Sequence, residues 1–220
     1  MSRTLNFAER PAQGGAARSM VIFLHGYGAD GADLLGLADV LAPHLPGTVF
    51  AAPDAPDRPL MAPYGYQWFP IPRFDGSTEA EARAGLLRSA ADLDGFIDGR
   101  LAAYGLEDAA LALVGFSQGA MMALHVAPRR AAAMAGVVAI SGRLMEPDAL
   151  AGAARVRPPV LVMHGDQDEV VPFAEMALAG NALSRAGFET FGHVMKGSGH
   201  GIAPDGLSVM LRFLLDKLPA

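Results

Sequence analysis

The stretch Gly115-Phe116-Ser117-Gln118-Gly119 decides the fold prediction because of the sequence that flanks it. An apolar run at residues 109–114 precedes it, and a run of good helix formers at residues 120–127 follows it. This arrangement predicts a strand, a tight turn and a helix, with Ser117 at the turn. Glycines two positions before and after the serine remove the Cβ atoms that would collide in so sharp a turn. The context therefore predicts an elbow that presents the serine hydroxyl above the edge of a sheet.

The rest of the chain alternates apolar strand patterns with amphipathic helix patterns. Further strands are predicted at residues 19–24, 47–52, 136–140, 159–163 and 188–195. Further helices are predicted at residues 30–41, 79–104 and 173–186, and in a closing segment lined by Leu207, Met210, Leu211, Leu214 and Leu218. Alternating units of this kind predict one α/β domain over residues 1–220, a mostly parallel sheet with helices on both faces. The segment at 141–158 is too short for a large helical lid.

Composition excludes several classes of protein. The chain has 220 residues, a formal charge of −6 and no cysteine. The missing cysteines exclude disulfides, thiolate metal sites and a cysteine nucleophile, and no acid and histidine grouping has metal-ligand spacing. We therefore expect neither metal nor cofactor. The acidic balance argues against nucleic acid partners. No apolar stretch is long enough for a membrane span, and the first ten residues do not resemble a signal peptide, so we expect a cytoplasmic protein.

Three residue types suited to nucleophilic catalysis follow three of the predicted strands. Ser117 follows the elbow strand, Asp166 and Asp168 follow the strand at 159–163, and His200 follows the last strand between two glycines. The carboxyl ends of parallel strands form one edge of the sheet, where such folds place their sites. The order serine, acid, histidine is the order of α/β-hydrolases. Either aspartate satisfies this order.

Together these motifs resemble the carboxylesterase/acyl-protein thioesterase family, small serine hydrolases of the α/β-hydrolase fold. The resemblance is carried by Leu24-His25-Gly26-Tyr27-Gly28-Ala29-Asp30, the elbow, His164-Gly165-Asp166-Gln167-Asp168 with Val171-Pro172, and Gly199-His200. It implies that Ser117 is the nucleophile, Asp168 the acid and His200 the base. It also implies that the backbone amides of Tyr27 and Gln118 form the oxyanion hole, and that the protein is a possible homodimer.

One residue departs from the family pattern. Tyr27 stands at a position that is often leucine in the thioesterase branch of the family. The departure bears on substrate preference and not on the oxyanion hole, because the contribution expected there comes from the backbone.

The other histidines have structural explanations. Only His200 combines a loop after a strand with flanking glycines. His25 and His164 each precede a glycine at a strand end, where a histidine often braces the turn by hydrogen bonding. The remaining histidines are predicted on surfaces or within the last strand: His44, His125 and His193.

The substrate-binding region is less clear from the sequence. The segment at 53–75 is rich in proline and aromatic residues, and a loop of this length often lines or covers a site. In one interpretation, Trp68 and Phe69 form part of the wall that binds the acyl group. In the other, the segment is a packed surface loop that proline makes rigid. Met145, Val170 and Val171, on other loops of the same edge, are further wall candidates.

The sequence predicts a cofactor-free serine carboxylesterase that hydrolyses small to medium acyl esters of small molecules through an acyl-enzyme. Thioesterase or lysophospholipase activity on longer acyl chains is an alternative, because the same groups serve that chemistry. The rival class is a non-catalytic binding protein with a hydrolase fold. That class predicts a damaged triad or missing elbow glycines, and the sequence has neither.

Overall fold

A twisted, mostly parallel sheet forms the centre of the protein. The computed structural model describes residues 2–59, 61 and 64–219, so both ends of the predicted domain and Pro63 of the proline-rich segment lie outside it. Within these residues the sheet has seven strands in the order β1-β3-β2-β4-β5-β6-β7, with only β1 antiparallel to its neighbour. The strands are β1 Phe7–Arg10, β2 Ser19–Leu24, β3 Thr48–Pro53, β4 Leu111–Phe116, β5 Gly136–Ile140, β6 Val160–Gly165 and β7 Thr190–Met195.

Helices cover both faces of the sheet, as the alternating pattern predicts. They are α1 Gly31–Leu35, α2 Ala38–Leu41, α3 Pro72–Asp75, α4 Glu79–Tyr104, α5 Gln118–Val126, α6 Leu150–Ala153, α7 Ala174–Arg185 and α8 Pro204–Lys217. Buried side chains of α4, α5, α6 and α7 pack in one apolar cluster with one face of the sheet. Those of α1, α2 and α8 pack in a second cluster on the other face. None of these helices is long and apolar enough to cross a membrane.

Most predicted elements are confirmed, three of them to the residue. Strands β2 and β5 and helix α4 have the predicted bounds. Helix α4 begins with a capping box, in which Thr78 and Glu81 hydrogen-bond each other's backbone N–H, and Gly105 ends it in the left-handed conformation. Such caps satisfy main-chain groups that lack partners within the helix.

The short helices α3 and α6 were not predicted, and other elements differ from the prediction as follows. The helix expected at 30–41 is interrupted at Gly36 and Leu37, and forms α1 and α2 instead. Strand β1 was not predicted, because it is only four residues long and two of the four are charged. Such a sequence suits an exposed edge strand. Strand β4 begins at Leu111, because the preceding three residues form a turn of 3₁₀-helix.

The elbow between β4 and α5 has the strained backbone that the glycines predict. Ser117 has φ 53° and ψ −116°, a conformation that non-glycine residues rarely adopt. A Cβ atom at Gly119 would collide with the Leu24 carbonyl of β2, and one at Gly115 would collide with the Gly119 carbonyl. The elbow therefore packs backbone against backbone, and this fixes Ser117 at the carboxyl edge of the sheet.

Candidate active site

The three predicted catalytic side chains lie together at the carboxyl edge of the sheet. The His200 Nε2 atom is 3.0 Å from the Ser117 Oγ atom, and His200 Nδ1 is 2.8 Å from Asp168 Oδ2. The Phe116 ring packs beside the imidazole, with ring centroids 4.9 Å apart. One histidine thus connects a serine hydroxyl to a carboxylate, the geometry in which a base activates a nucleophile and an acid orients the base.

Asp168 is held as an ionised acceptor. Its side chain is buried, and its Oδ1 atom accepts hydrogen bonds from the backbone N–H groups of Val170 and Val171, both at 2.9 Å. Burial opposes ionisation, but the hydrogen bonds from His200 and from these two amides outweigh it and lower the pKa of Asp168 below its ordinary value. The carboxylate beside His200 is therefore charged at neutral pH.

The competing aspartate has a different position. Asp166 Oδ1 accepts a hydrogen bond from the Gly197 N–H at 2.7 Å. This contact ties the loop after β6 to the loop after β7, which carries His200. Asp166 braces the site, and Asp168 is the aspartate in contact with His200.

Two buried histidines brace the same edge, as predicted. His25 Nδ1 lies 2.7 Å from the Gly26 carbonyl, and its Nε2 accepts a hydrogen bond from the Ala55 N–H. His164 Nε2 lies 3.0 Å from the Val171 carbonyl and 3.2 Å from Asp168 Oδ2. Burial lowers the pKa of His25, which keeps that ring neutral.

The two predicted oxyanion amides belong to segments that meet at Ser117. Gln118 is the first residue of α5, where helix N–H groups have no partner within the helix. The loop that carries Tyr27 lies against the elbow, since a Cβ atom at Gly26 would be 3.3 Å from the Ser117 Cβ atom. The loop is fixed from its other side by the hydrogen bond from the Gly28 N–H to the Tyr66 carbonyl at 2.8 Å.

A cleft of about 570 Å³ opens over Ser117 and His200. Four of the five predicted wall residues line it: Phe69, Met145, Val170 and Val171. Apolar residues that were not singled out from the sequence complete the wall, two from the segment at 53–75 and three from other elements: Ile71, Phe74, Leu86, Phe116 and Met121. The volume and the apolar lining are those of a site for a small organic ligand.

Trp68 does not lie on the cleft wall, and the prediction that it does is wrong. Its side chain is fully buried, at 0% exposed, and its indole N–H donates to the His25 carbonyl at 3.0 Å. A tryptophan in a proline-rich loop suits a wall or a core equally well by composition. Here it anchors the loop in the core, beneath the cleft.

The side chain of Gln118 has a role that the sequence did not indicate. Its Oε1 atom accepts a hydrogen bond from the Trp68 N–H at 2.8 Å, and its Nε2 atom donates to the Phe69 carbonyl at 2.7 Å. The Ser89 hydroxyl of α4 donates to the Trp68 carbonyl. The residue after Ser117 therefore holds the main chain of the cleft wall.

Charged side chains at the cleft were also missed. Three arginines line it, two of them with partners across the cleft: Arg83 pairs with Glu146 at 2.7 Å, and Arg73 donates to the Val170 carbonyl at 2.8 Å. The third is Arg143. Among the residues that the structure describes, no cluster of three or more histidine, cysteine or acidic side chains is placed to hold a metal ion.

The remaining histidines lie away from Ser117, and one of them contradicts the prediction. His44 is exposed, and His193 of β7 lies 2.8 Å from Asp205, both as expected. His125 was expected on a surface, but it is only 2% exposed. Helix α5 is covered on nearly every side, because it lies between the sheet and α4.

Comparison with known proteins gives consistent matches over almost the whole chain. A family model described as Phospholipase/Carboxylesterase matches residues 8–217. Acyl-protein thioesterase 1 of Neurospora crassa is 28% identical over 90% of this chain and 86% of its own length. Acyl-protein thioesterase 1 of Saccharomyces cerevisiae is 29% identical over 92% and 94%. The crystal structure of esterase PE8 is 40% identical, with a TM-score of 0.93 over 98% of this chain and 100% of that one.

Proposed function

Because the chain belongs to the phospholipase/carboxylesterase family and is a serine hydrolase of carboxylic esters, we propose that Ser117, His200 and Asp168 are its catalytic triad. We also propose that its substrates are esters with small to medium acyl groups. The observation that carries the triad is the unbroken contact from Ser117 Oγ through the His200 ring to Asp168, at 3.0 Å and 2.8 Å.

The proposed reaction begins with the serine hydroxyl. His200 Nε2 accepts the hydroxyl proton while Ser117 Oγ attacks the acyl carbonyl carbon, and a tetrahedral intermediate forms. Asp168, on the other ring nitrogen, keeps that nitrogen protonated and stabilises the imidazolium. The same proton then passes to the leaving alkoxide, and the acyl group stays on Ser117. Water repeats these steps on the acyl-enzyme, releases the carboxylic acid and restores the serine.

The negative charge on the carbonyl oxygen requires donors that are already in position. We assign this role to the backbone N–H groups of Tyr27 and Gln118, the second of which lies at the positive end of α5. Loss of one such donor typically costs about 10²–10³ in rate. Both donors are main-chain groups, so the tyrosine side chain at position 27 leaves the hole intact.

The acyl preference rests on the cleft. Its volume of about 570 Å³ and its largely apolar wall suit a short or medium hydrocarbon chain. Thioesters of longer acyl chains are the second candidate, because two relatives of 28% and 29% identity are named acyl-protein thioesterase 1. The same triad and oxyanion hole serve thioesters, since the chemistry at the carbonyl carbon is the same.

The test is hydrolysis of p-nitrophenyl esters from acetate to palmitate by the wild-type enzyme and by Ser117→Ala. We expect kcat/KM to peak at short or medium chains in the wild type and to fall by about 10⁵ or more in the variant. A peak at long chains would favour the thioesterase candidate, which S-acyl and O-acyl esters of the same chain would then compare directly. Substantial turnover by a folded Ser117→Ala variant would refute the triad.

A further inference from the structure

One arginine joins the two sides of the cleft. Arg73 of α3 and Val170 of the loop at 166–172, hereafter the acid loop, both line the cleft. The Arg73 Nη2 atom donates to the Val170 carbonyl oxygen at 2.8 Å, although the two residues are 97 positions apart in the chain. Arg83, by contrast, forms its 2.7 Å contact with a side chain, that of Glu146. Arg73 instead holds the main chain of the acid loop.

The same arginine is fixed on its other side by aromatic contacts. Its guanidinium lies 4.6 Å from the centroid of the Phe74 ring, within the range of a cation–π interaction. The Phe74 ring in turn lies 6.0 Å from the Tyr27 ring, at an interplanar angle of 57°. Contacts therefore run without a break from Tyr27, through Phe74 and Arg73, to Val170. All four residues line the cleft, so this series spans it.

The short helix that carries Arg73 is held in shape by its own caps. The Asp75 carboxylate accepts hydrogen bonds from the N–H groups of Ile71 and Ser77, both at 2.9 Å. Gly76 ends the helix with φ 72°, a value that glycine adopts without strain. Arg73 thus projects from a defined turn, which limits how far the contact with Val170 can shift when substrate binds.

The peptide that Arg73 holds also contacts the triad. The Val170 N–H donates to Asp168 Oδ1 at 2.9 Å, while the Val170 carbonyl accepts from Arg73. Widening the cleft at this point therefore requires either breaking the arginine contact or moving a residue that orients the acid. A wide acyl group can bind only if one of these changes occurs, whereas a narrow acyl group binds without either.

On the basis of the function proposed above, we propose that Arg73 is a specificity-determining positioning residue that ties the two cleft walls together and limits the width of the acyl group. It does not touch the reacting atoms. Its removal should relax selection by width while the chemistry on narrow esters continues.

The test compares two p-nitrophenyl esters with six acyl carbons each, the linear hexanoate and the branched 3,3-dimethylbutanoate. In Arg73→Gln the branched-to-linear ratio of kcat/KM should rise by about tenfold over wild type, a discrimination typical of one small steric contact. The thermal midpoint should change little, because the arginine is exposed. Arg88→Gln is the matched control, since Arg88 is exposed on α4 and is not a cleft-lining residue. It should keep the wild-type ratio.

Three results would overturn the inference. The first is an unchanged ratio in Arg73→Gln, the second is an equal rise in Arg88→Gln, and the third is an equal loss on both esters together with a lower thermal midpoint. Each of these leaves the triad standing, because the triad is tested separately by the turnover of a folded Ser117→Ala variant.

Discussion

The catalytic edge and the cleft wall are built by different means. At the edge, Ser117, Asp168 and His200 each follow a parallel strand, and the pairing of β4, β5, β6 and β7 fixes where those strands end. The wall at residues 68–77 has no strand. Side chains of Gln118, Ser89 and Asp75 hold its main chain instead.

This difference separates chemistry from selectivity. Strand register is shared by the whole sheet, so the strand ends that carry the triad loops move only if the fold changes. The wall depends on single side-chain contacts, and one substitution can move it. Changes at the edge should therefore abolish turnover, and changes at the wall should alter which esters are turned over.

After the loss expected for Ser117→Ala, the largest effect comes from the acid at the edge. Asp168→Asn keeps the size of the side chain but loses the charge that orients and stabilises the His200 imidazolium, so kcat should fall by about 10⁴. Asp166→Asn is the matched control, because an asparagine oxygen can still accept from the Gly197 N–H. Initial rates on p-nitrophenyl acetate for both variants decide the assignment. A large loss in Asp166→Asn with a small one in Asp168→Asn would reverse the roles of the two aspartates.

The contrast between edge and wall also explains what the sequence could predict. The three residues of the proposed triad could be placed together because an apolar run, a glycine and a polar residue mark each strand end, and parallel strands end at one edge. Trp68 could not be placed, since a loop aromatic packs inward or outward according to partners far away in the chain, here the His25 carbonyl. The same holds for Arg73, whose partner lies 97 positions away.

Two incorrect predictions about the helices also have specific structural causes. His125 was misplaced because periodicity in a nine-residue helix does not reveal that α4 covers its outer side. The interruption between α1 and α2 at Gly36 and Leu37 was missed because the apolar spacing continues across it.

An effect of intermediate size is expected from His125, which lies away from both the edge and the wall. It should change the pH dependence of stability and leave activity unchanged. Burial, and to a smaller extent the nearby Arg129 charge, lower the pKa of His125 from an ordinary value of 6.5 to about 4. Between these values the unfolded chain binds a proton that the folded protein does not, so stability falls as the pH is lowered from about 6.5 to 4. The loss should reach about 3 kcal/mol and then level off below pH 4.

Denaturant unfolding at several pH values, compared between wild type and His125→Leu, isolates this contribution. The variant should lose less stability than wild type over that interval, because leucine does not titrate. Its kcat/KM at pH 7.5 should stay near the wild-type value, since His125 contacts none of the triad. Equal pH dependence of stability in both proteins would show that His125 is not the titrating group.

The smallest expected effect tests a residue that belongs to both regions. The backbone N–H of Gln118 serves the proposed oxyanion hole, and its side chain satisfies Trp68 N–H and the Phe69 carbonyl in the buried part of the wall. Gln118→Ala keeps the backbone N–H but removes the side-chain hydrogen bonds. This loss should lower the free energy of unfolding by about 2 kcal/mol. We expect KM for p-nitrophenyl hexanoate to rise, because the Phe69 wall loosens, while kcat on p-nitrophenyl acetate stays within about threefold.

Gln67→Ala is the control, since the Gln67 Oε1 atom has no hydrogen-bond partner among the described residues and its loss should cost less. If Gln118→Ala instead lowered kcat on both esters equally, the side chain would be supporting the catalytic edge, and the division between edge and wall would not hold at this residue.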